Sequence, residues 1–159
     1  MRFLFVDRII AVEPGRSIET LKNVSATEDM FDDHFPGYPI LPGALVVESF
    51  EQASQLLIAM THDFARVGRL RSVLRGMFRQ FVRPGDQLHV RCVRTAGDDE
   101  AWTVSGAAEV DGRRVASAVL DFAVVSAVDA DEAHAERLRE MVRVLRAAPI
   151  DMTRAGGGA

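Results

Sequence analysis

The sequence predicts an α+β fold in which one long buried helix is wrapped by a curled antiparallel sheet. Three observations carry that expectation. Residues 44–60 are apolar around most of a helical circumference, two strand-like segments precede them, and a run of strand-like segments joined by tight turns follows.

Residues 3–12 (FLFVDRIIAV) are rich in apolar and β-branched types and read as a strand. Glu13-Pro14-Gly15-Arg16 is a turn, and 17–26 alternate as a returning strand. Residues 31–43 (FDDHFPGYPILPG) hold three prolines and two glycines, too many for a helix or strand interior, and read as a rigid irregular loop. In the helix that follows, Glu48, Glu51, Gln52 and Gln55 form the only polar stripe, at spacings of three and four. Strands are expected at 70–82, 87–95, 101–110 and 113–125, separated by Pro84-Gly85-Asp86, Gly97-Asp98-Asp99 and the hairpin signal Asp111-Gly112. A last helix is expected over 130–147, acidic at its start (Asp129, Asp131, Glu132) and basic near its end (Arg143, Arg146), as the helix dipole favours. Leu138, Met141, Val142 and Leu145 give it one apolar face to dock on the sheet or on a partner subunit. The closing Ala155-Gly156-Gly157-Gly158-Ala159 has nothing to bury.

The 159 residues suit one domain, with no internal repeat or linker. A net charge of −4 argues against a general nucleic-acid binder. No apolar run is long enough for a membrane span, and the first residues reach Asp7 too early for a signal peptide, so a cytoplasmic protein is expected. The single Cys92 excludes an intrachain disulfide and a cysteine-based zinc cluster.

His34 stands in the proline-rich loop and Glu48 fourteen residues later in the helix. Eliminating water β to a thioester needs a base for the α-proton, an acid for the departing hydroxyl and a donor for an enolate-like oxygen. Histidine suits the first task, a carboxylic acid in an apolar setting the second, and N–H groups at a helix N-terminus the third. Gly43, directly after Pro42, would let a carbonyl approach the backbone. From residue types and spacing alone, the bland alternative is the favoured one. A lone loop histidine is more often a surface residue, and spacing alone does not select Glu48 over Glu51.

Residues 31–52, FDDHFPGYPILPGALVVESFEQ, closely resemble the active-site segment of the FabZ-type β-hydroxyacyl-(acyl carrier protein) dehydratases. Further similar segments, in the family's order, are FLFVDRI (3–9), EPG with KNVS (13–25), RGMFRQFVRPGDQL (75–88) and VDGRRVASA (110–118). The resemblance implies a hot-dog fold over 1–126, with 127–159 an added C-terminal helix and tail of the same domain. It implies His34 and Glu48 as the catalytic pair, Gly43 as the backbone donor to the thioester carbonyl, and Gln52 as a brace for the acid. Glutamate at the acid position favours the FabZ type over the FabA type, which carries aspartate there. The implied reaction is dehydration of (3R)-3-hydroxyacyl-(acyl carrier protein) to the trans-2-enoyl thioester. It uses no metal or redox cofactor, since the acyl chain rides on the carrier's phosphopantetheine. The implied assembly is a homodimer or trimer of dimers, with the two catalytic residues meeting across the dimer interface.

Three features depart from the family pattern: the usual helix before the FLFVDR strand has no counterpart, the 130–147 helix is added, and Glu51 replaces the usual alanine. The odd-numbered Arg69, Arg71, Arg75, Arg79 and Arg83 would share one face of a regular strand, either to meet an acidic carrier protein or simply as the solvated outer face of a sheet. Arg75 and Arg79 match positions usually basic in the family and are expected to bind substrate. Two other readings compete: a hot-dog thioesterase, which has no need of the histidine, and a non-catalytic acyl-thioester-binding subunit of a synthase, which needs neither residue.

Overall fold

The computed structural model describes residues 4–28, 30–33 and 37–146. In chain order the elements are β1 (Arg8–Glu13), β2 (Ser17–Asn23), α1 (Met30–Asp33), α2 (Gly43–Thr61), β3 (Arg66–Phe78), β4 (Gln87–Gly97), β5 (Ala101–Val110), β6 (Arg113–Ser126), α3 (Ala127–Ala130) and α4 (Glu132–Leu145). The strands form one antiparallel sheet in the order β1-β2-β4-β5-β6-β3. The sheet curls about α2, which packs against β2, β3, β4, β5 and β6. This is the hot-dog arrangement, with an extra C-terminal helix.

Period-two alternation builds the inner surface of the sheet. Leu88, Val90 and Cys92 of β4, Trp102, Val104 and Ala108 of β5, and Ala118, Leu120, Phe122 and Val124 of β6 are all buried. They meet Val46, Phe50, Ala53, Leu56, Leu57 and Ile58 of α2 in one apolar cluster. Two serines are buried with them because each hydroxyl donates back to its own helix, Ser49 to the Val46 carbonyl at 2.6 Å and Ser54 to that of Phe50 at 2.7 Å. At the β5–β6 hairpin, Asp111 and Gly112 both take positive φ, 50° and 73°, as that dipeptide signals.

Two expectations need correction. Residues 31–43 are not wholly irregular: Met30–Asp33 makes one helical turn ahead of the first proline. The arginine row is not one face of a regular strand. Strand β3 carries irregularities between Leu70 and Ser72 and between Val73 and Arg75, and it ends before Arg79 and Arg83.

The second half of β3 breaks the alternation. Every residue from Arg71 to Phe78 is exposed, although the strand is hydrogen-bonded to β6 along this length. Val73, Leu74, Met77 and Phe78 are 44%, 60%, 42% and 52% exposed, and Phe81 beyond the strand is 64% exposed. The strand thus lies at the sheet margin with one unpaired edge and an uncovered apolar surface.

The C-terminal helix docks within its own chain, against α2 and β1. Asp131 caps it by accepting a hydrogen bond from the Ala133 N–H at 3.0 Å. Ala135, Leu138 and Leu145 are buried beneath it.

Candidate active site

The start of α2 is open. Its N-cap, Pro42, has no side-chain group to offer, and the first turn contains no acidic residue. Leu45 and Val46 both donate to the Pro42 carbonyl, at 2.9 and 3.2 Å. The N–H groups of Gly43 and Ala44 precede any intrahelical acceptor and find none among the described residues. These donors and the positive end of the helix dipole suit an oxyanion or a polarised carbonyl. The preceding loop is tied down by Leu41 N–H, which donates to the Val82 carbonyl at 2.7 Å. Arg83 adds a hydrogen bond to the Tyr38 hydroxyl at 2.7 Å and lies over its ring. A Cβ on Gly43 would lie 3.0 Å from Cε1 and 3.1 Å from Cζ of Phe78. Glycine therefore lets the end of β3 approach the start of α2, and this brings Arg79, the next residue, towards the same corner.

Glu48 lies about 7.5 Å further along the helix axis, at 1.5 Å per residue. It is half-buried, not part of a solvated stripe. Gln52 Nε2 donates to Glu48 Oε1 at 2.8 Å, while Gln52 Oε1 accepts the Phe5 N–H at 2.8 Å. The Phe5 N–H can only donate, so it sets the orientation of the amide and points its NH2 at the carboxylate. One turn on, the pattern repeats: Gln55 Nε2 donates to Glu51 Oε1 at 2.8 Å. Glu51 stands three residues from Glu48 on the same helix, so the two carboxyls are neighbours on its surface. Burial, and then the neighbouring Glu48, push the Glu51 carboxyl up to about 7 against the opposing pull of Gln55.

A cavity of about 240 Å³ opens on this face of α2, lined by Glu48, Gln52 and Gln55 on one side and Leu4, Leu138 and Met141 on the other. His134 and Arg137 of α4 complete the lining. The added helix therefore walls the cavity that holds the predicted acid.

The predicted residues are only partly brought together. Gly43, Glu48 and Gln52 share one face or end of α2. His34 lies outside the described residues. Arg75 and Arg79 are exposed, whereas Arg71 is engaged by a bidentate pair with Asp121 at 2.9 and 3.0 Å. Glu51, Gln55 and the α4 residues were missed. The repeated Glu-to-Gln spacing of four could have flagged the first two; the α4 residues are more than eighty positions away and carry no such signal.

A curled antiparallel sheet around a helix with an uncapped start and a braced carboxyl defines an enzyme-like hot-dog protein. The FabA-like domain model matches residues 1–119, and the chain belongs to that family. Among its curated relatives, the 3-hydroxyacyl-[acyl-carrier-protein] dehydratase FabZ of Nitratiruptor sp. is 37% identical over 132 residues, covering 77% of this chain and 88% of the relative. That of Pelotomaculum thermopropionicum is 41% identical over 123 residues, with coverages of 77% and 88%. Solved structures share the fold. A hot-dog-like protein from Thermanaerovibrio acidaminovorans has a TM-score of 0.63 at 15% identity, covering 79% of this chain and 93% of its own. A Streptococcus mutans protein bound to acetyl CoA has a TM-score of 0.64 at 14% identity, with coverages of 79% and 94%.

Proposed function

We propose that this protein dehydrates (3R)-3-hydroxyacyl-(acyl carrier protein) thioesters to trans-2-enoyl thioesters, in fatty acid synthesis or a related lipid, polyketide or polyene pathway. It is a hydro-lyase of the FabZ type. The observation that carries the reading is the half-buried Glu48 carboxyl, held by Gln52 in the lining of a cavity on the helix whose uncapped start presents the Gly43 N–H. His34 takes the α-proton, Glu48 protonates the leaving hydroxyl, and the Gly43 N–H stabilises the thioester oxygen as negative charge develops there. Gln52 holds the acid in place. Residues 1–126 form the catalytic unit, and 127–159 belong to the same domain.

The reaction calls for no resident metal or redox cofactor, because the proton transfers are internal and the thioester supplies the electron sink. The acyl chain arrives on the phosphopantetheine of an acyl carrier protein, and exposed Arg75 and Arg79 meet that acidic partner. The site is completed by a second copy of the chain in a homodimer or trimer of dimers, and the enzyme works in the cytoplasm. The exposed apolar edge of β3 supports such an assembly, since a long unpaired edge is otherwise an aggregation hazard. Neither the thioesterase nor the non-catalytic binding reading is favoured by the relatives.

The test is incubation with 3-hydroxyacyl carrier protein and with a small N-acetylcysteamine thioester, following enoyl absorbance and free thiol. Enoyl product is expected from both; free thiol alone would mean thioester hydrolysis. His34→Ala and Glu48→Gln should each lower the dehydration rate at least a hundredfold, and a near-wild-type rate in either would remove that residue from the site. Charge reversal at Arg75 and Arg79 should raise KM for the carrier-bound substrate and spare the small one.

A further inference from the structure

We propose that α4 is a substrate-selecting wall: Arg137, Leu138 and Met141 close the acyl end of the cavity that holds Glu48, so that the protein accepts 3-hydroxyacyl thioesters with short tails and turns away long saturated ones. The inference rests on the dehydratase reading with Glu48 as the acid, and it adds the class of acyl chain that this site takes.

The direction of the acyl chain follows from the order of groups along α2. The open N–H groups stand at the helix start, and Glu48, Gln52 and Gln55 follow in turn along one cavity. A thioester whose carbonyl lies at Gly43 and whose β-hydroxyl meets Glu48 sends the rest of its chain onward, towards Gln52 and Gln55. The cavity runs the same way, since Gln55 lies about 10 Å beyond Glu48 along the axis at 1.5 Å per residue. The residues that meet a tail there are Leu4 and, from α4, His134, Arg137, Leu138 and Met141. Those α4 positions recur at helical spacing, which puts them on one side of that helix.

Space limits the tail first. The cavity has a volume of about 240 Å³, below the roughly 300–1,000 Å³ of pockets that enclose a drug-sized ligand. Leu138 is 4% exposed and fixed in the packing beneath α4. Met141 is half-buried, and its unbranched side chain can adapt to fill what a short tail leaves empty.

Polarity limits it second. Gln55, His134 and Arg137 also line another cavity of about 350 Å³, so they stand between the two. The far side of that partition is charged, lined by Glu51, Arg69 and Asp131, with Arg137 paired to Asp131 at 3.3 Å. A longer hydrocarbon tail would have to part these groups and strip water from them while offering no hydrogen bond in return, which is unfavourable. A short tail stops before the partition.

The experiment measures kcat/KM for the full-length wild type, Met141→Ala, Met141→Phe and Arg137→Leu on carrier-bound 3-hydroxyacyl chains of about four to about ten carbons. Wild type should lose about tenfold or more from the shortest chain to the longest, the scale on which an apolar pocket discriminates methylenes. Met141→Ala should raise the long-to-short ratio about tenfold, and Met141→Phe should lower it. Arg137→Leu, which makes the partition apolar, should also raise it. A loss of stability alone would lower all lengths together. A wild-type preference for long chains would overturn the wall, and so would variant profiles parallel to wild type. Arg137 is exposed and its pair with Asp131 is a surface one, so Arg137→Leu should keep the fold and decides the point even if Met141→Ala does not fold. Absence of enoyl product at every length would instead remove the dehydratase reading. Calorimetric binding of the same chains then decides separately: a length preference moved by Met141→Ala sustains the wall, and one left unmoved removes it.

Discussion

At the scale of single residues, the site depends on what is missing as much as on what is present. Gly43 has no side chain, Pro42 has no capping group, and the first turn of α2 has no acid to occupy its N–H groups. In most helices such a start would be a defect worth about 1 kcal/mol. Here it leaves the donors available to a substrate. Gly43→Ala tests this directly. The new Cβ would meet the Phe78 ring at 3.0–3.3 Å, and because that ring is half exposed it can give way with little loss of stability. The expected result is a kcat/KM reduced about tenfold or more, with a melting temperature within a few degrees of wild type. A large drop in melting temperature with unchanged turnover would make the glycine purely structural. Gln52 shows the opposite logic, since both ends of its amide are committed, one to the Phe5 N–H and one to Glu48. Sequence spacing put Gln52 within reach of Glu48, but only the Phe5 contact, 47 positions away, shows which end of the amide turns towards the acid.

At the scale of elements, α4 is the feature that distinguishes this chain. Its apolar stripe was legible as an amphipathic pattern, yet the pattern could not choose between the sheet, a partner subunit and the central helix. The docking surface is made by residues distant in sequence, Leu4 and Gln55 among those that line one cavity together with Leu138 and Met141. Leu138 is 4% exposed, so Leu138→Ala should cost about 2–5 kcal/mol in urea unfolding, the range for truncating a buried leucine. A cost below about 0.5 kcal/mol would mean that α4 is not held against α2 in solution. Strand β3 gives the complementary lesson. A run of apolar and arginine residues was readable as a strand, but the two irregularities that break its phase leave no mark in local composition. They are set by the match between β3 and β6, which only pairing determines.

At the scale of the whole molecule, the curled sheet covers α2 on most sides and leaves one margin unfinished. Along that margin lie the free edge of β3, its exposed Leu74 and Met77, and Phe78 against the start of α2. A second copy pairing there would bury this surface. A Leu74→Arg, Met77→Arg double variant changes side chains that are 60% and 42% exposed in the single chain, so the fold itself should survive. The expected outcome is a smaller species on size-exclusion chromatography, with native circular dichroism and lost dehydration. An unchanged oligomer would place the interface elsewhere.

By itself the sequence determined the architecture and the chemistry on offer. Apolar periodicity specified α2, turn residues such as Asp111-Gly112 specified the hairpins, and the segment from 31 to 52 carried the family likeness in consecutive residues. These are local properties, encoded within a few turns of chain. The tertiary structure decided which carboxyls meet which partners. It turned the apparent solvated stripe of α2 into two half-buried acids, Glu48 and Glu51, each held by a glutamine and flanked by residues of α4 and β3. The physical reason is that burial, and the proton affinity it confers, depends on elements that arrive from elsewhere in the chain, whereas spacing along a helix records only which side chains could touch.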